Sequence, residues 1–266
     1  RARRLRAEAA RKARADAEKM RRLAQGLWLQ GQEKIAGTPA ELYMRDTRGI
    51  DLAALGRQPR ALRYHPRVRY RHFDKATGEE IRGAYPAILT AISNGAGTFI
   101  ACHRTYLAQG RDGWTKAPVP EPKKVLGDYR GGAIRIWSGV GPKGGKGVPI
   151  SRTPFGTRVY LSEGIEDALS AAVINPAARV LAGVSLSNLG NVELPDAVTE
   201  VVLIADQDDD AETRATLDRA AQAHAARGRL VRVWLNQRGG KDLNDAIRSH
   251  GRQDTTTEEP ESRRNE

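Results

Sequence analysis

Val201-Val202-Leu203-Ile204-Ala205-Asp206-Gln207-Asp208-Asp209-Asp210 runs from five apolar residues straight into four carboxylates. The apolar half reads as a strand buried on both faces, the pattern of parallel sheets. The acidic half then falls at the carboxyl end of that strand, where open parallel sheets receive their ligands. Residues two apart in extended chain point the same way, so Asp206 and Asp208 can offer carboxylates to one point. Like charges this close repel, and a hard divalent cation, Mg2+ or Mn2+, would relieve the repulsion and let an acidic spot accept an anionic substrate. Helix capping explains only part of the cluster: Asp209 or Asp210 suits the start of a following helix, but one cap does not require four acids.

The same rhythm extends on both sides. Strands are expected at 158–161, 179–182, 200–205 and 230–235, and helices at 165–174, 211–227 and 243–250. Short apolar strands alternating with helices imply an α/β, Rossmann-like parallel sheet covered on both faces. Glu163 follows the first of these strands, so it falls at the same sheet edge as the aspartates. Glu163 and Glu166 could instead simply decorate a helix start. Asp242, in GGKDLND (239–245), either caps the last helix or faces the same site.

Upstream, from about 62 to 137, the chain changes to short strand-like runs punctuated by Gly and Pro, at 62–70, 87–92, 98–106 and 133–137. This predicts a smaller, mostly antiparallel α+β region. Residues 139–147 (GVGPKGGKG) read as a loop or linker; without a GK[ST] ending or a following helix they are not a phosphate loop. Residues 1–22 hold ten Arg or Lys against three Asp or Glu and are alanine-rich, which favours a solvated basic helix; 23–35 is more amphipathic and is expected to dock on the body. The expected division is 1–36 basic helical segment, 37–150 α+β subdomain, 151–251 α/β domain, and 252–266 disordered tail.

Across 266 residues, 44 Lys and Arg against 32 Asp and Glu give a net charge of +12, which favours polyanionic partners through counterion release. The single cysteine, Cys102, excludes an internal disulfide and a cysteine-based zinc site within this sequence and suits a reducing, cytoplasmic setting. No apolar run is long enough to span a membrane, and the charged start shows no secretory signal. The sequence begins on Arg1 rather than Met, as a fragment or processed form would.

SEGIEDALSA (162–171), LIADQDDD (203–210) and GGKDLNDAI (239–247), in that order on alternating strands and helices, resemble the Toprim domain shared by bacterial-type primases, topoisomerases and some nucleases. Upstream, GTPAELYMRDTRGI (37–50), HRTYL (103–107), Lys116-Ala117 and PKKVLGDYRGGAIRI (122–136) are similar to the region preceding Toprim in phage, plasmid and integrative-element primases. The resemblance implies that Glu163 is the Toprim glutamate, a metal ligand or general acid/base. It implies that Asp206 and Asp208 are the metal-binding DxD and that Asp242 stands for a later acidic residue. It also implies that Arg104, Lys116, Lys123, Lys124 and Arg130 hold template and nucleotides; sequence-tolerant base stacking could come from Tyr106 or Trp114. The activity implied is primer synthesis from NTPs on single-stranded DNA with Mg2+ or Mn2+. A Toprim nuclease and a non-catalytic nucleic-acid-binding module are the competing readings. Such primases commonly carry a zinc module and often a helicase. The sequence groups too few Cys and His for the first and contains no P-loop for the second, so a replicative helicase is expected from another chain.

Overall fold

The computed structural model describes residues 2–141, 143–207, 210–235, 242–245 and 248. Ten strands form one sheet: β1 (Leu62–Phe73), β2 (Glu80–Ser93), β3 (Phe99–Gly110), β4 (Gly113–Lys116), β5 (Lys123–Gly127), β6 (Ala133–Ser138), β7 (Thr157–Ser162), β8 (Arg179–Ala182), β9 (Val198–Ala205) and β10 (Leu230–Leu235). The order is β10-β9-β7-β8-β6-β2-β3-β4, with β1 on β2 and β5 on β3 off that path. Strands β10, β9, β7 and β8 are mutually parallel; every pairing from β8 to β4 is antiparallel. The α/β parallel-sheet class and the upstream antiparallel region are therefore both present, and β6 joins them edge to edge. Its contact with β2 is brief, Ile92 opposite Ile134 and Ser93 opposite Ala133.

Helix α1 (Ala2–Gln30) is a single element where the sequence suggested two segments. Residues 3–17 are exposed, whereas Ala24, Leu27 and Trp28 pack over Leu89, Cys102 and Tyr106 on one face of the sheet. The helix can end against the sheet because Gly31 lacks a side chain: a Cβ there would lie 3.0 Å from the Cβ of Arg63. A short helix, α2 (Pro39–Leu42), is capped by Thr38 and continues as a π-turn over Tyr43–Thr47.

On the parallel half, α3 (Ile165–Ile174) covers one face, and α4 (Leu186–Leu189) and α5 (Ala211–Ala225) cover the other. The α3-side core is continuous with the upstream region, since Ile165, Ala168 and Leu169 pack in one cluster with Tyr43, Leu62, Ile88 and Ile92. The sequence missed β4, β5 and α4. Each is four or five residues long, too short for periodicity to register. Of the helix expected at 243–250, residues 243–245 are helical and 246–247 and 249–250 lie outside the described residues. No helix among the described residues is long and apolar enough to cross a membrane.

Candidate functional site

The parallel strands β7 and β9 are adjacent in register, so their carboxyl ends deliver Glu163 and Asp206 to one edge. Both line a cleft of about 640 Å³, together with Gln207, Leu186 and Leu189 on α4 and Thr213 and Arg214 on α5. Glu163 is exposed and Asp206 half-buried. Asp208 and Asp209 lie outside the described residues, so the second carboxylate of the DxD is not placed. Asp210 is the N-cap of α5, accepting from the Thr213 N–H at 2.8 Å, as capping chemistry predicts.

Two acids in the first turn of α3 sit behind this edge. Helix α3 is buried from Ile165 through Ala172, so Glu166 and Asp167 enter the interior with it. Gly164 at the N-cap keeps room for them, as a Cβ there would lie 2.8 Å from Asp167 Oδ2. Asp167 accepts from the Asn244 N–H at 3.2 Å, and its carboxyl is pushed up to about 7, first by burial and then by the neighbouring charges of Asp242 and Asp206. Asp242 itself caps the chain that follows, accepting from the Asp245 N–H at 2.7 Å. Three carboxylates are thus close enough to feel one another at the strand ends. Among the described residues, no three potential ligands stand in ready-made coordination geometry. Carboxylates gathered in this way suit a hard divalent cation.

Glu166 departs from expectation: it is not a solvated helix decoration. Only 4% exposed, it receives Lys116 at 3.2 Å, Lys123 at 3.1 Å and Arg48 at 3.9 Å, and accepts the Tyr43 hydroxyl at 3.1 Å. Burial opposes its ionisation, but Lys123, Lys116 and Arg48 outweigh that and hold it well below the usual carboxylate range. His103, buried beside the same lysines, is pushed down to about 4 by burial and then by Lys123, and so stays neutral.

Of the five basic residues singled out, Lys116 and Lys123 therefore meet at Glu166. Lys124 and Lys123 are neighbours on β5, and the pleat sends them apart: Lys124 pairs with Glu121 at 2.6 Å and lies over the Tyr70 ring on the other face. Arg104 donates to the Tyr106 hydroxyl at 3.0 Å, and Arg130 is exposed beyond β5. Tyr106 cannot stack a base as suggested, because it is fully buried with its hydroxyl donated to the Arg69 carbonyl. Trp114 is half-buried and packs on the α3-side core. The burial of Glu166 and Asp167 was readable: IEDALSAAVI is apolar almost all round, so acids in its first turn must enter the interior and find partners.

The raised Asp167 carboxyl has a signed consequence. Its proton is bound more tightly in the folded than the unfolded chain, so stability is lost as pH rises from about 4 to about 7. Asp167→Asn keeps the acceptor for Asn244 and removes the repulsion. Urea unfolding should show it more stable than the parent by about 1–3 kcal/mol near pH 8, with the gain shrinking as pH falls toward 4. An equal difference at both ends of that range would contradict the assignment.

Residues 158–253, which carry the strand-end acids, match the Toprim domain family, and residues 18–136 match a domain of unknown function (DUF7146). The fold as a whole is similar to that of solved primase catalytic domains. It is similar to a DnaG primase catalytic domain bound to ssDNA (14% identity, 91% of this chain and 80% of that chain, TM-score 0.53). It is also similar to a DNA primase domain from Pseudomonas aeruginosa (13% identity, 90% and 78% covered, TM-score 0.50) and to a DnaG catalytic core (15%, 88% and 76%, TM-score 0.50). No curated protein sequence matches the chain.

Proposed function

We propose that this chain is the catalytic core of a DNA primase, joining NTPs into short RNA primers on single-stranded DNA. The observation that carries the reading is the meeting of Glu163 and Asp206 in one cleft at the carboxyl ends of β7 and β9, with lysines from the upstream strands anchored on Glu166 of α3, the helix that follows Glu163. The similar DnaG domain that binds ssDNA supports the choice of template.

In this reading Glu163, Asp206 and Asp208 would hold a divalent cation, Mg2+ or Mn2+, and Asp242 would contribute a further carboxylate. Bound there, the cation would lower the pKa of the attacking 3′-hydroxyl and neutralise charge on the α-phosphate and leaving pyrophosphate. The protein's own part is positional. The carboxylates are fixed on strand ends, Glu166 holds Lys116 and Lys123 in place, and the positive potential of those lysines draws phosphates toward an acidic edge that would otherwise repel them. Arg104, Lys124 and Arg130 are the further candidates for the strand, and a replicative helicase would come from another chain.

The test is incubation of the chain with single-stranded DNA, labelled NTPs and Mg2+ or Mn2+. Short RNA products that depend on the cation are the expected result. Cleaved DNA would replace the reading with a Toprim nuclease, and a salt-sensitive gel shift without products would replace it with a binding module.

A further inference from the structure

A second cleft, of about 370 Å³, shares no lining residue with the acidic one. Its floor is the middle of the sheet, Ala91 and Ser93 on β2, Arg135 on β6 and Leu181 on β8. Arg135 follows Ile134, which joins the α3-side core, along β6, and Leu181 on the cleft floor packs in the cluster of the opposite face, so the cleft opens on that face. There it occupies the gap between the end of α1, at Trp28, and the loop carrying Lys146 and Ile150. The gap exists because α1 covers only the β1–β3 half of that face, and α4 and α5 cover only the β7–β9 half.

Five cations converge on it: Arg57, Arg60, Arg135, Lys146 and Arg179. None of the lining residues is acidic, and none of these five side chains forms an ion pair among the described residues. Lys116 and Arg63, by contrast, are paired with carboxylates, Glu166 and Glu33. Here Arg57, Arg135 and Arg179 spend one nitrogen each on the backbone carbonyls of Gly139, Asn94 and Gly95, and Val148, which positions the guanidinium groups without neutralising them. Burial and then the charge of Arg60 hold Arg57 below its ordinary range; burial and then Arg135 do the same to Arg179. Charges gathered against mutual repulsion in a partly dry cleft call for an anion of several charges.

The walls add aromatic surface. The Arg57 guanidinium carbon lies over the Trp137 ring, 3.4 Å from its centroid, and Phe99 and Trp28 flank the opening with ring centroids 5.9 Å apart. Two lining atoms, Trp28 Nε1 and Ser138 Oγ, are buried without a hydrogen-bond partner. Multiple cations beside aromatic faces, in a space of single-nucleotide size, match a phosphorylated nucleoside.

We propose that this cationic cleft binds the phosphates of a nucleotide, either free or as one unit of a strand, at a site separate from the acidic cleft. The proposal does not depend on primer synthesis. Its test uses the full chain in EDTA, where the acidic cleft has no cation to accept a triphosphate, with an N-methylanthraniloyl-ATP probe followed by anisotropy. Saturable binding is expected, unchanged by Asp206→Asn and weakened about tenfold or more by Arg60→Ala combined with Lys146→Ala. Those two side chains make no side-chain hydrogen bond in the structure, and a thermal melt confirms that the variant folds. Displacement by ATP identifies free nucleotide as the ligand; displacement by oligothymidylate alone identifies a strand. The proposal is overturned if binding does not saturate or if the double variant binds as the parent does. An equal loss from Arg11→Ala with Arg14→Ala, on the exposed part of α1, would also overturn it, because it would reduce the effect to overall charge.

Discussion

Asp206→Asn and Glu163→Gln should each abolish cation-dependent primer synthesis, lowering the rate about 10³-fold or more, while leaving the far-UV spectrum and melting temperature close to those of the parent. The expectation of an intact fold follows from their places. Glu163 is exposed, and Asp206 lies just past the end of β9, so neither removes apolar packing. Asp206→Asn should lower or remove the repulsion felt by Asp167, so a slight gain in stability near pH 8 is expected alongside the loss of activity. The variants also separate binding from catalysis. Cation uptake by calorimetry should fall with activity, whereas salt-sensitive binding of single-stranded DNA should persist, since the basic residues are untouched. Full activity in either variant would remove the acidic cleft from the reaction.

The second large effect concerns stability. Glu166→Ala should destabilise the chain by about 2–4 kcal/mol, because it leaves Lys116 and Arg48 partly buried beside an uncompensated gap and strands the Tyr43 hydroxyl. Lys123 is 40% exposed on its side chain and can turn to water, so it contributes least. Glu166→Gln retains the acceptor for Tyr43 and should cost less than alanine. The pH dependence has the opposite sign from that of Asp167. The Glu166 carboxyl is held below its ordinary range, so its contribution is complete above about pH 5 and is lost as the solution is acidified through the carboxylate range. Urea titrations across that range measure both. Since Lys116 and Lys123 come from β4 and β5 and Glu166 from α3, activity should fall with stability as the lysines lose their anchor.

Much of the parallel half was legible before any coordinates. Val201–Ala205 reads as a buried strand because both faces are apolar, and the acids after it can only fall at its end. The expected cap at Asp210 and the helices at α3 and α5 follow from equally local chemistry. The upstream half was legible only as short strands. Its hairpins depend on cross-strand partners, such as Leu107 opposite Lys116, that no local pattern announces. Tyr106 shows the cost: an aromatic next to arginine reads as a stacking surface, yet β3 is covered by α1 and the ring is core.

By itself the sequence determined the class of fold and the identity of the acids at the strand ends, because both rest on periodicities of two and 3.6 residues that act within one element. Only the tertiary structure decided which charges meet. Glu166 lies 43 positions from Lys123 and 123 from Tyr43, and the cations of the second cleft come from four separate stretches of chain. Coulomb energies depend on distance in space and on burial, and neither is set until the sheet has brought its two halves edge to edge.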